Sequence, residues 1–528
     1  MQEKTPKSQK NLAPRESDAM YKRVMRQLSL MDEAEMFGGI KLNPENKWVK
    51  LNKLVPWEEF EEKYAENFKS KTGQPAISAK MALGALLIKE RYQKMSDEEI
   101  VEEIAMNPYL QYFLGMKEYS CDAPFHATMF VRFRKRITPE MLAWVNDRIC
   151  GRPEETEKAP KDDDDNNHEN GAGSGGTGHT EESSKDETEN NEENDESKNK
   201  GTLILDATCT PQAIRYPCDA SLLDEARRNL EQTIDILYDN GCGVTKKKPR
   251  TYRKKAKHQY DSYSKKRKKK AKDHRNAVRQ QLQYVKRNLG YLDAIQKEHP
   301  DCTEKLPTWL RERIAVIRDL YKQQDAMYQN RVHRCDDRIV SLSQPWVRPI
   351  VRGKLNADTE FGAKVEMSVV NGYLRIEDLR WDAFNESTTL VESAENYRKA
   401  YGHYPERILA DTIFRTRGNL QFCKEHGIHI SGPKLGKRPK DTRFYRQQLR
   451  EEWQESGERG EIERDFGVAK RRYSLGRIVT KLKETSENTI YLSVLSMNLW
   501  KKLRLLLRSF LVNGSEYFAL VTEFRFAS

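Results

Sequence analysis

The sequence lacks the long apolar runs that membrane-spanning and secreted proteins need. Its 528 residues contain no stretch of about 18 or more apolar residues, so a transmembrane helix is not expected. The first residues, MQEKTPKSQKNLAPRESD, include no apolar core that would indicate a secretory signal. We therefore expect an intracellular, cytoplasmic protein with no membrane partner.

Cysteine pairs are also missing. The 8 cysteines form no CxxC motif and stand with no histidines at zinc-finger spacing. Scattered cysteines of this kind are typical of reduced thiols in a cytosolic protein. A disulfide framework and a zinc finger are thus excluded as the organising element of the fold.

The charge is unevenly distributed along the chain. The formal net charge is +12, but residues 151–200 hold 17 acidic and 6 basic residues, a net of −11. The remainder, with 87 basic and 64 acidic residues, therefore carries +23. A body this basic favours a polyanionic partner, of which nucleic acid is the commonest.

Residues 151–200 have almost no apolar side chains and cannot form a core. We predict an acidic disordered linker there. Its acids could serve as a solvated spacer, or they could mimic DNA and occupy a basic site of the same chain.

Residues 1–150 show helical spacing and predict a compact all-helical domain. In SDEEIVEEI, Ser96 is placed to cap a helix whose first turn is acidic. The segment FVRFRKRI contains Arg132 and Arg134 among aromatic residues. Such a helix could bind DNA or could be an ordinary solvated face, and no residue decides between the two.

A second helical stretch, 220–341, is strongly basic in its first part. Residues 246–275 include 18 Lys, Arg and His residues interleaved with tyrosines. Basic side chains neutralise phosphates and aromatic rings stack on bases, so this segment is a candidate DNA-binding surface, with a solvated helical face as the alternative. The candidate contacts are Lys246, Lys247, Arg250, Arg253, Lys254, Arg267, Lys268 and Lys269.

Strand patterns lie on both sides of this stretch, in 201–219 and 342–528. The later part has alternating segments broken by Asn371-Gly372, a hairpin signal, followed by a helix at 388–401 and a strand at 406–411. Strands flanked by helices predict an α/β core with a mixed sheet.

Two apolar strand segments, LILD and ILAD, each finish on an acid, Asp206 and Asp411. We expect both carboxylates at or near the carboxyl ends of their strands, where α/β sheets present ligands. A single acid there is often only a helix cap, but two such acids favour a shared site.

A third acid lies on a predicted helix at 459–473. An apolar stripe would pack this helix on the sheet, and a second stripe beside it carries Arg459, Glu463 and Lys470 at i, i+4 and i+11. The alternative is an ordinary Arg–Glu surface pair, worth a few tenths of a kcal/mol.

Three acids converging on one sheet edge suit two Mg²⁺ ions about 4 Å apart, because Mg²⁺ takes oxygen ligands and can activate a water or a 3′-hydroxyl. Mn²⁺ is expected to substitute. In that arrangement Arg459 and Lys470 would hold DNA phosphates and would not neutralise Glu463.

Three blocks of the sequence carry a family resemblance. GTLILDATCTPQAIRYP, ILADTIFRTRGN and RGEIERDFGVAKRRYSLGRI resemble the catalytic blocks of the DDE transposases of bacterial insertion sequences. The family pattern of the third block is Tyr-x2-Arg-x3-Glu-x6-Lys; Arg459, Glu463 and Lys470 match it, whereas Ser456 stands at the Tyr position. NPYLQYFLGM and FRKRI resemble the N-terminal helical domain of the same group.

The resemblance implies an RNase H-like catalytic core in which Asp206, Asp411 and Glu463 bind the metal ions. It implies contacts of Arg459 and Lys470 with the DNA end, cleavage and joining of double-stranded DNA at terminal inverted repeats and target sites, and a homodimer assembled on DNA in a prokaryotic nucleoid. The long separation of Asp206 from Asp411 would reflect a helical basic insertion, 220–341, in the core. Asp219 and Glu386 are weaker candidates for supporting roles, and Asp382 weaker still.

Two other interpretations stay open on the sequence. The chain could be a catalytically inactive DNA-binding regulator that keeps the basic surface, or a metal-dependent nuclease on the same fold. Metal-dependent nicking separates an enzyme from a regulator, and strand joining separates a transposase from a nuclease.

Overall fold

The structure is a computed structural model that describes residues 21, 37–68, 75–151, 199–354, 357–433 and 442–526. Nearly all of the acidic segment, and with it the prediction of a disordered linker, lies outside the described residues. Within the described ranges no helix is both long and apolar enough to cross a membrane.

A mixed sheet of six strands forms the centre of the α/β part. The strands are β1 (Thr202–Pro211), β2 (Arg348–Lys354), β3 (Ala357–Val370), β4 (Tyr373–Arg380), β5 (Arg407–Leu409) and β6 (His429–Ile430). Their order is β2-β3-β1-β5-β6, with β4 also paired to the long β3. β1 is parallel to β5 and antiparallel to β3, and β5 is parallel to β6.

The predicted hairpin is confirmed by the turn between β3 and β4. Asn371 and Gly372 both have positive φ angles, 52° and 78°, as a two-residue turn between twisted strands requires. At Gly362, the paired strands β1 and β3 approach each other so closely that a Cβ would lie 2.0 Å from the carbonyl oxygen of Thr210. Only glycine fits there, and it lets the two strands pair over eight residues.

Helices precede, interrupt and follow the strands. The N-terminal group is α1 (Lys47–Asn52), α2 (Trp57–Ala65), α3 (Ala79–Arg91), α4 (Asp97–Met106), α5 (Pro108–Phe113), α6 (Met129–Arg136) and α7 (Pro139–Cys150). Between β1 and β2 stand α8 (Asp219–Asp239), α9 (Arg253–Ser264), α10 (Ala271–Glu298) and α11 (Thr308–Asn330). The later helices are α12 (Leu390–Tyr401), α13 (Arg417–Glu425), α14 (Thr442–Arg472) and α15 (Lys483–Phe526).

The two faces of the sheet are covered by different helices. The predicted apolar stripe of α14, including Ile462, Phe466 and Ala469, packs with Ile204 and its neighbours on one face. On the other face, Leu203 and Leu205 pack against α12 and α13. Alternate residues of β1 therefore point to α14 and to α12, as the period of a strand requires.

The N-terminal helices form one apolar cluster that α15 completes with Leu492, Leu495, Leu499 and Leu503. Ser96 caps α4 as predicted, and Glu99 closes a capping box by accepting a hydrogen bond from the Ser96 amide. The last described helix of the chain is thus part of the core built by the first ones.

The helices α8–α11, called here the helical segment, have a separate core. Arg227 of α8 lies inside it with its side chain only 2% exposed, and it is paired with Asp224 at 2.5 Å and Glu231 at 2.7 Å. A buried guanidinium needs nearby carboxylates, and α8 supplies both of them itself. The link to a second helix is the 3.3 Å hydrogen bond that Arg227 Nε donates to Gln281 of α10.

One expectation about the strands was wrong. β1 does not finish near Asp206 but continues to Pro211, so the acid lies in the middle of the strand. The reason is the long antiparallel neighbour β3, which supplies hydrogen-bond partners for residues 204–211. The parallel neighbour β5 stops much earlier, at Leu409.

Candidate functional site

Asp206 of β1 and Asp411, which lies just past the end of β5, have equivalent positions relative to the pairing of these two strands. The last parallel pair between β1 and β5 is Ile204 with Leu409. Each acid follows two residues after its member of that pair. The backbone positions of the two acids therefore lie at the same level of the sheet, where β5 has ended and β1 has lost its parallel neighbour.

Asp206 is a desolvated carboxyl group at this edge. Its side chain is 18% exposed, and its Oδ1 accepts a hydrogen bond of 2.8 Å from the amide of Ala207. Burial is the main cause that raises the pKa of Asp206 to about 6. The positive charge of Arg459 lowers this pKa, whereas the negative charges of Glu386 and Glu463 raise it. A carboxylate in this position lacks full compensation by the protein and is stabilised by a nearby cation.

Asp411 is exposed and begins a short 3-10 helix, Thr412–Phe414. Its Oδ1 accepts hydrogen bonds from the amide of Thr412 at 2.6 Å and from the hydroxyl of the same residue at 3.2 Å. Asp411 thus caps this short helix, which is the alternative role that the sequence left open for an acid in this position. The remaining oxygen leaves room for a second role.

Glu463 is brought to Asp206 by an arginine between them. The Arg459 Nη2 atom lies 3.0 Å from Glu463 Oε1, and its Nη1 atom lies 3.7 Å from Asp206 Oδ2. Arg459 is one helical turn before Glu463, so both side chains leave α14 on the same side. The i,i+4 spacing thus puts the Arg459 guanidinium within reach of both carboxylates, and its role toward DNA phosphates stays a prediction.

Among the described residues, no three His, Cys, Asp or Glu side chains are grouped closely enough to hold a metal ion. The donor set nevertheless fits a hard divalent cation. Asp206, Asp411 and Glu463 offer only carboxylate oxygens, and the raised pKa of Asp206 marks a charge that a cation would offset. Glu463 is 57% exposed, so its side chain is free to change rotamer toward the edge.

A fourth carboxylate, Glu386, borders this edge. It lies in the short 3-10 helix Glu386–Thr388 and pairs with Lys364 of β3 at 3.0 Å. Its charge contributes to the raised pKa of Asp206. Of the weaker candidates from the sequence, Glu386 is therefore near the site, whereas Asp219 is held in the helical segment by Arg338.

The candidate DNA-contacting residues differ in exposure and in whether their charges are already paired with acidic side chains. Lys470 is half-buried on α14, two turns after Glu463. The eight basic candidates of the helical segment are all exposed. Arg253, however, donates two hydrogen bonds to Asp235, at 2.9 and 2.8 Å, whereas Arg267 and Lys268 lie in the connection between α9 and α10.

The two candidate DNA contacts on α6, Arg132 and Arg134, also differ in exposure and pairing. Arg132 is exposed. Arg134 is largely covered, and its Nη1 and Nη2 atoms each donate a 2.9 Å hydrogen bond to Asp97 at the start of α4. Arg134 thus joins two helices of the N-terminal group, and Arg132 is the one of the pair available to a phosphate.

Sequence reasoning missed an open groove of about 1190 Å³ between α14 and the sheet. Arg450, Trp453 and Arg464 line it, and Trp453 is 83% exposed, but none of the three carboxylates lines it. The only sign of this groove in the sequence was Trp453, a tryptophan that lies outside the apolar stripe of α14. The groove borders the carboxylate edge, because Ile204 and Leu409, each two residues before one of the aspartates, also line it.

Comparisons with known proteins cover both ends of the chain. The transposase DDE domain family matches residues 408–500, which include Asp411, Arg459, Glu463 and Lys470. The transposase domain family DUF772 matches residues 39–136. The first match begins after β1, so Asp206 lies outside it.

A relative in Rhizobium meliloti bears the name "Uncharacterized protein ORF8 in nfe locus". It is 35% identical over 101 residues, which are 19% of this chain and 48% of that protein. The chain thus covers about half the length of this relative. No solved structure matches the chain. The two family matches lie in separate parts of the sequence, and both are matches to transposase domains.

Proposed function

We propose that this protein is a DNA transposase that cuts and joins DNA strands with divalent metal ions held by Asp206, Asp411 and Glu463. The observation that carries the proposal is that Asp206 and Asp411 each follow two residues after the last parallel pair of β1 and β5, with Glu463 linked to Asp206 through Arg459. Carboxylates gathered at one strand edge are the donor set that phosphoryl-transfer metal sites use.

The strand order supports an RNase H-like core. β4, β3, β1, β5 and β6 lie side by side, with β1, β5 and β6 parallel and β3 reversed. In this proposal β2 is an addition and the helical segment is an insertion between the first and second core strands. The acids then occupy the edge at which parallel strands present ligands.

The protein's own groups would position the substrate. When bound, two Mg²⁺ or Mn²⁺ ions would supply activation of a water or 3′-hydroxyl and stabilisation of the leaving oxygen. Arg459 and Lys470 would hold phosphates of the element end, with Arg459 exchanging its carboxylate partners for DNA. Glu386 keeps Lys364 beside the edge, where that ammonium adds positive charge.

Binding of double-stranded DNA, at terminal inverted repeats and at the target, would use the exposed basic residues of the helical segment and Arg132 of α6. Because two ends must be brought together for joining, we propose a homodimer on DNA, acting in the cytoplasm.

The decisive experiment is plasmid nicking and strand transfer with the DNA that flanks this reading frame, in the presence of Mg²⁺. Asp206→Asn, Asp411→Asn and Glu463→Gln should each lower the cleavage rate by about a thousandfold or more, since several kcal/mol of charge stabilisation is lost. Glu461→Gln is the matched control, because Glu461 lies on the same helix and faces Lys501. Duplex binding should persist in all four variants.

Each alternative has its own outcome in this assay. Binding by the wild type without metal-dependent nicking would support an inactive regulator. Nicking without joining would support a nuclease on the same fold. Wild-type cleavage by any one of the three carboxamide variants would remove that residue from the proposed triad.

The basic surface has a separate test in the salt dependence of duplex binding. Replacing Arg267, Lys268 and Lys269 together by Ala should reduce the slope of log K against log salt by up to about three, one for each lost phosphate contact. Arg253→Ala should change the slope less, because its guanidinium already binds Asp235. Equal slopes for the triple variant and the wild type would place the DNA elsewhere.

A further inference from the structure

A group of basic residues lies where four helices from distant parts of the chain meet. It consists of four exposed side chains: Lys47 of α1, Arg91 at the end of α3, Arg472 at the end of α14 and Arg504 of α15. We call it the composite patch, because two of its members belong to the N-terminal group and two to the helices that follow the sheet. None of the four is among the DNA contacts that the sequence suggested.

The indole ring of Trp500 on α15 brings the cations together. The Cζ atom of Arg91 lies 4.6 Å from the centre of this ring, and the Nζ atom of Lys47 lies 5.9 Å from it. Arg504 is one helical turn after Trp500, so both side chains leave α15 on the same side. A cation over an aromatic ring is attracted to it but keeps its charge. Trp500 therefore holds positive charges without neutralising them.

A buried carboxyl group, Glu90, fixes the helices that carry the composite patch. Its Oε1 atom accepts hydrogen bonds from the amide of Ser474 at 2.7 Å and from the hydroxyl of Ser493 at 2.8 Å. Its Oε2 atom accepts a 2.7 Å hydrogen bond from the hydroxyl of Ser474. Arg91 directly follows the acid of this clamp, and Arg472 lies two residues before its main donor. The clamp thus joins α3 to the end of α14 and to α15, and sets the spacing of these two arginines.

Tyr473, the residue after α14, lies beside the same group of cations. Its side chain is 5% exposed and packs in the core on the α14 face of the sheet. Burial is the main cause that raises the pKa of Tyr473, whereas the positive charges of Arg504, Arg91 and Arg472 lower it. Arginines from three helices therefore lie close enough to one phenol to act on it together, in agreement with the contacts at Trp500 and Glu90.

The charges of the composite patch are not neutralised by acidic side chains. Among the described residues, no salt bridge joins any of the four cations to a carboxylate. Glu90 is next to Arg91 in the sequence, but both of its oxygens accept hydrogen bonds from neutral donors. Arg134 of α6 differs, because Asp97 holds its guanidinium. Four exposed positive charges in one place produce a field that attracts a polyanion.

We propose that the composite patch binds the phosphate backbone of duplex DNA. The planar guanidinium groups can donate paired hydrogen bonds to phosphate oxygens, and the lysine adds a point charge. Because Glu90 clamps the two halves, the patch meets the duplex as one rigid surface. Lys47 and Arg91 lie in the part that matches DUF772, and Arg472 lies in the part that matches the DDE domain. The inference rests on the proposed transposase function and names a further surface for its DNA, built by both matched parts.

The composite patch and the carboxylate edge lie on different sides of α14. Arg472 follows Glu463 by nine residues, which is about two and a half helical turns. The two side chains therefore leave the helix in opposite directions. A duplex on the patch does not have to occupy the carboxylate edge, so its binding can be measured without divalent metal and without cleavage.

Binding of a labelled duplex by the full-length, metal-free protein over a series of salt concentrations tests the patch. The double variant Arg91→Gln with Arg472→Gln removes one arginine from each half. It should reduce the slope of log K against log salt by up to about two and weaken binding at about 0.1 M salt by tenfold or more. The matched control is Lys399→Gln with Lys424→Gln. These exposed lysines lie on α12 and α13, which cover the other face of the sheet, and the slope should stay near that of wild type.

A second variant guards against misfolding of the first. Arg504 is exposed, and Arg504→Gln should lower the slope by up to about one. Wild-type slopes for Arg504→Gln and for the double arginine variant would overturn the patch and leave the transposase proposal standing. An equal loss in the lysine control would also overturn the patch, since any surface cation would then serve. A wild-type protein that binds no duplex at any salt concentration would overturn the patch and the proposed function together.

Discussion

The carboxyl groups of Asp206 on β1 and Glu366 on β3 lie on neighbouring strands, but their surroundings are opposite. Asp206 of β1 pairs in register with Met367, and the next residue, Ala207, pairs with Glu366 of β3. Asp206 therefore lies on the α14 face and Glu366 on the α12 face. Asp206 is at an edge open to solvent, whereas Glu366 is 0% exposed.

The means of stabilising each group differ accordingly. Asp206 has the guanidinium of Arg459 beside it, and its side chain is 18% exposed to solvent. Around Glu366 lie the hydroxyls of Thr389 and Ser393, with further carboxylates nearby, and its Oε2 atom has no hydrogen-bond partner among the described residues. Burial raises the pKa of Glu366 to about 8, so this carboxyl is held in its protonated, neutral form. Access to solvent decides whether a buried carboxyl is neutralised by a cation or by a proton.

The largest expected effect is a weaker pH dependence of the free energy of unfolding in Glu366→Gln. The folded state holds a proton on Glu366 up to about pH 8, whereas the unfolded chain releases it above its ordinary pKa of 4.5. The folded state thus binds more protons between these values, and wild-type stability falls as pH rises through this window. Glutamine cannot ionise, so the variant should gain on the order of 3 kcal/mol over wild type from pH 5 to pH 9, measured by denaturant unfolding.

Glu392→Gln is the matched control for this measurement. Glu392 is largely accessible on α12, the helix that covers Glu366, and its replacement should leave the pH dependence of the wild type unchanged. If Glu366→Gln shows the same decline between pH 5 and pH 9 as wild type, Glu366 is already ionised at neutral pH and the two faces do not differ as described.

A smaller effect should appear when divalent metal is added at pH 7.5. A cation held at the Asp206 edge stabilises the folded state by about 1.4 kcal/mol at tenfold its dissociation constant, and each kcal/mol raises Tm by about 2–4 °C for a cooperative unit of about 150–250 residues. Mg²⁺ should therefore raise the Tm of wild type and of Glu366→Gln. It should not raise the Tm of Asp206→Asn, since that variant lacks a charged oxygen donor at the edge.

The same series compared at equal ionic strength, with K⁺ in place of Mg²⁺, separates specific binding from screening. An identical Mg²⁺ shift in Asp206→Asn and wild type would mean that the ion binds elsewhere. The readout is stability and does not require DNA cleavage.

Local patterns predicted much of the fold. The hairpin at Asn371-Gly372 and the cap at Ser96 depend on a few neighbouring residues, and both are confirmed. The apolar stripe of α14 also packs on the sheet as its spacing predicted. In each case the interaction that fixes the element is encoded within about a dozen residues.

Long-range pairing is what the sequence did not predict. The length of β1 depends on β3, which begins only at Ala357, and no pattern in LILDATCTP marks how far that pairing extends. The contact of Arg459 with Asp206 likewise joins distant segments. The i,i+4 spacing made the pairing of Arg459 with Glu463 available from the sequence, whereas nothing in that motif indicated the bridge to β1.

The smallest expected effect concerns Ser393, whose hydroxyl donates a 3.4 Å hydrogen bond to Glu366 Oε1. The bond is long, so Ser393→Ala should cost only about 0.5 kcal/mol. The cost should be larger at pH 9, where the carboxyl is ionised, than at pH 5, because this bond lowers the pKa of Glu366. A double-mutant cycle with Glu366→Gln, followed by denaturant unfolding at both pH values, isolates this interaction. A coupling energy that does not change with pH would mean that Ser393 stabilises α12 and not the charge of Glu366.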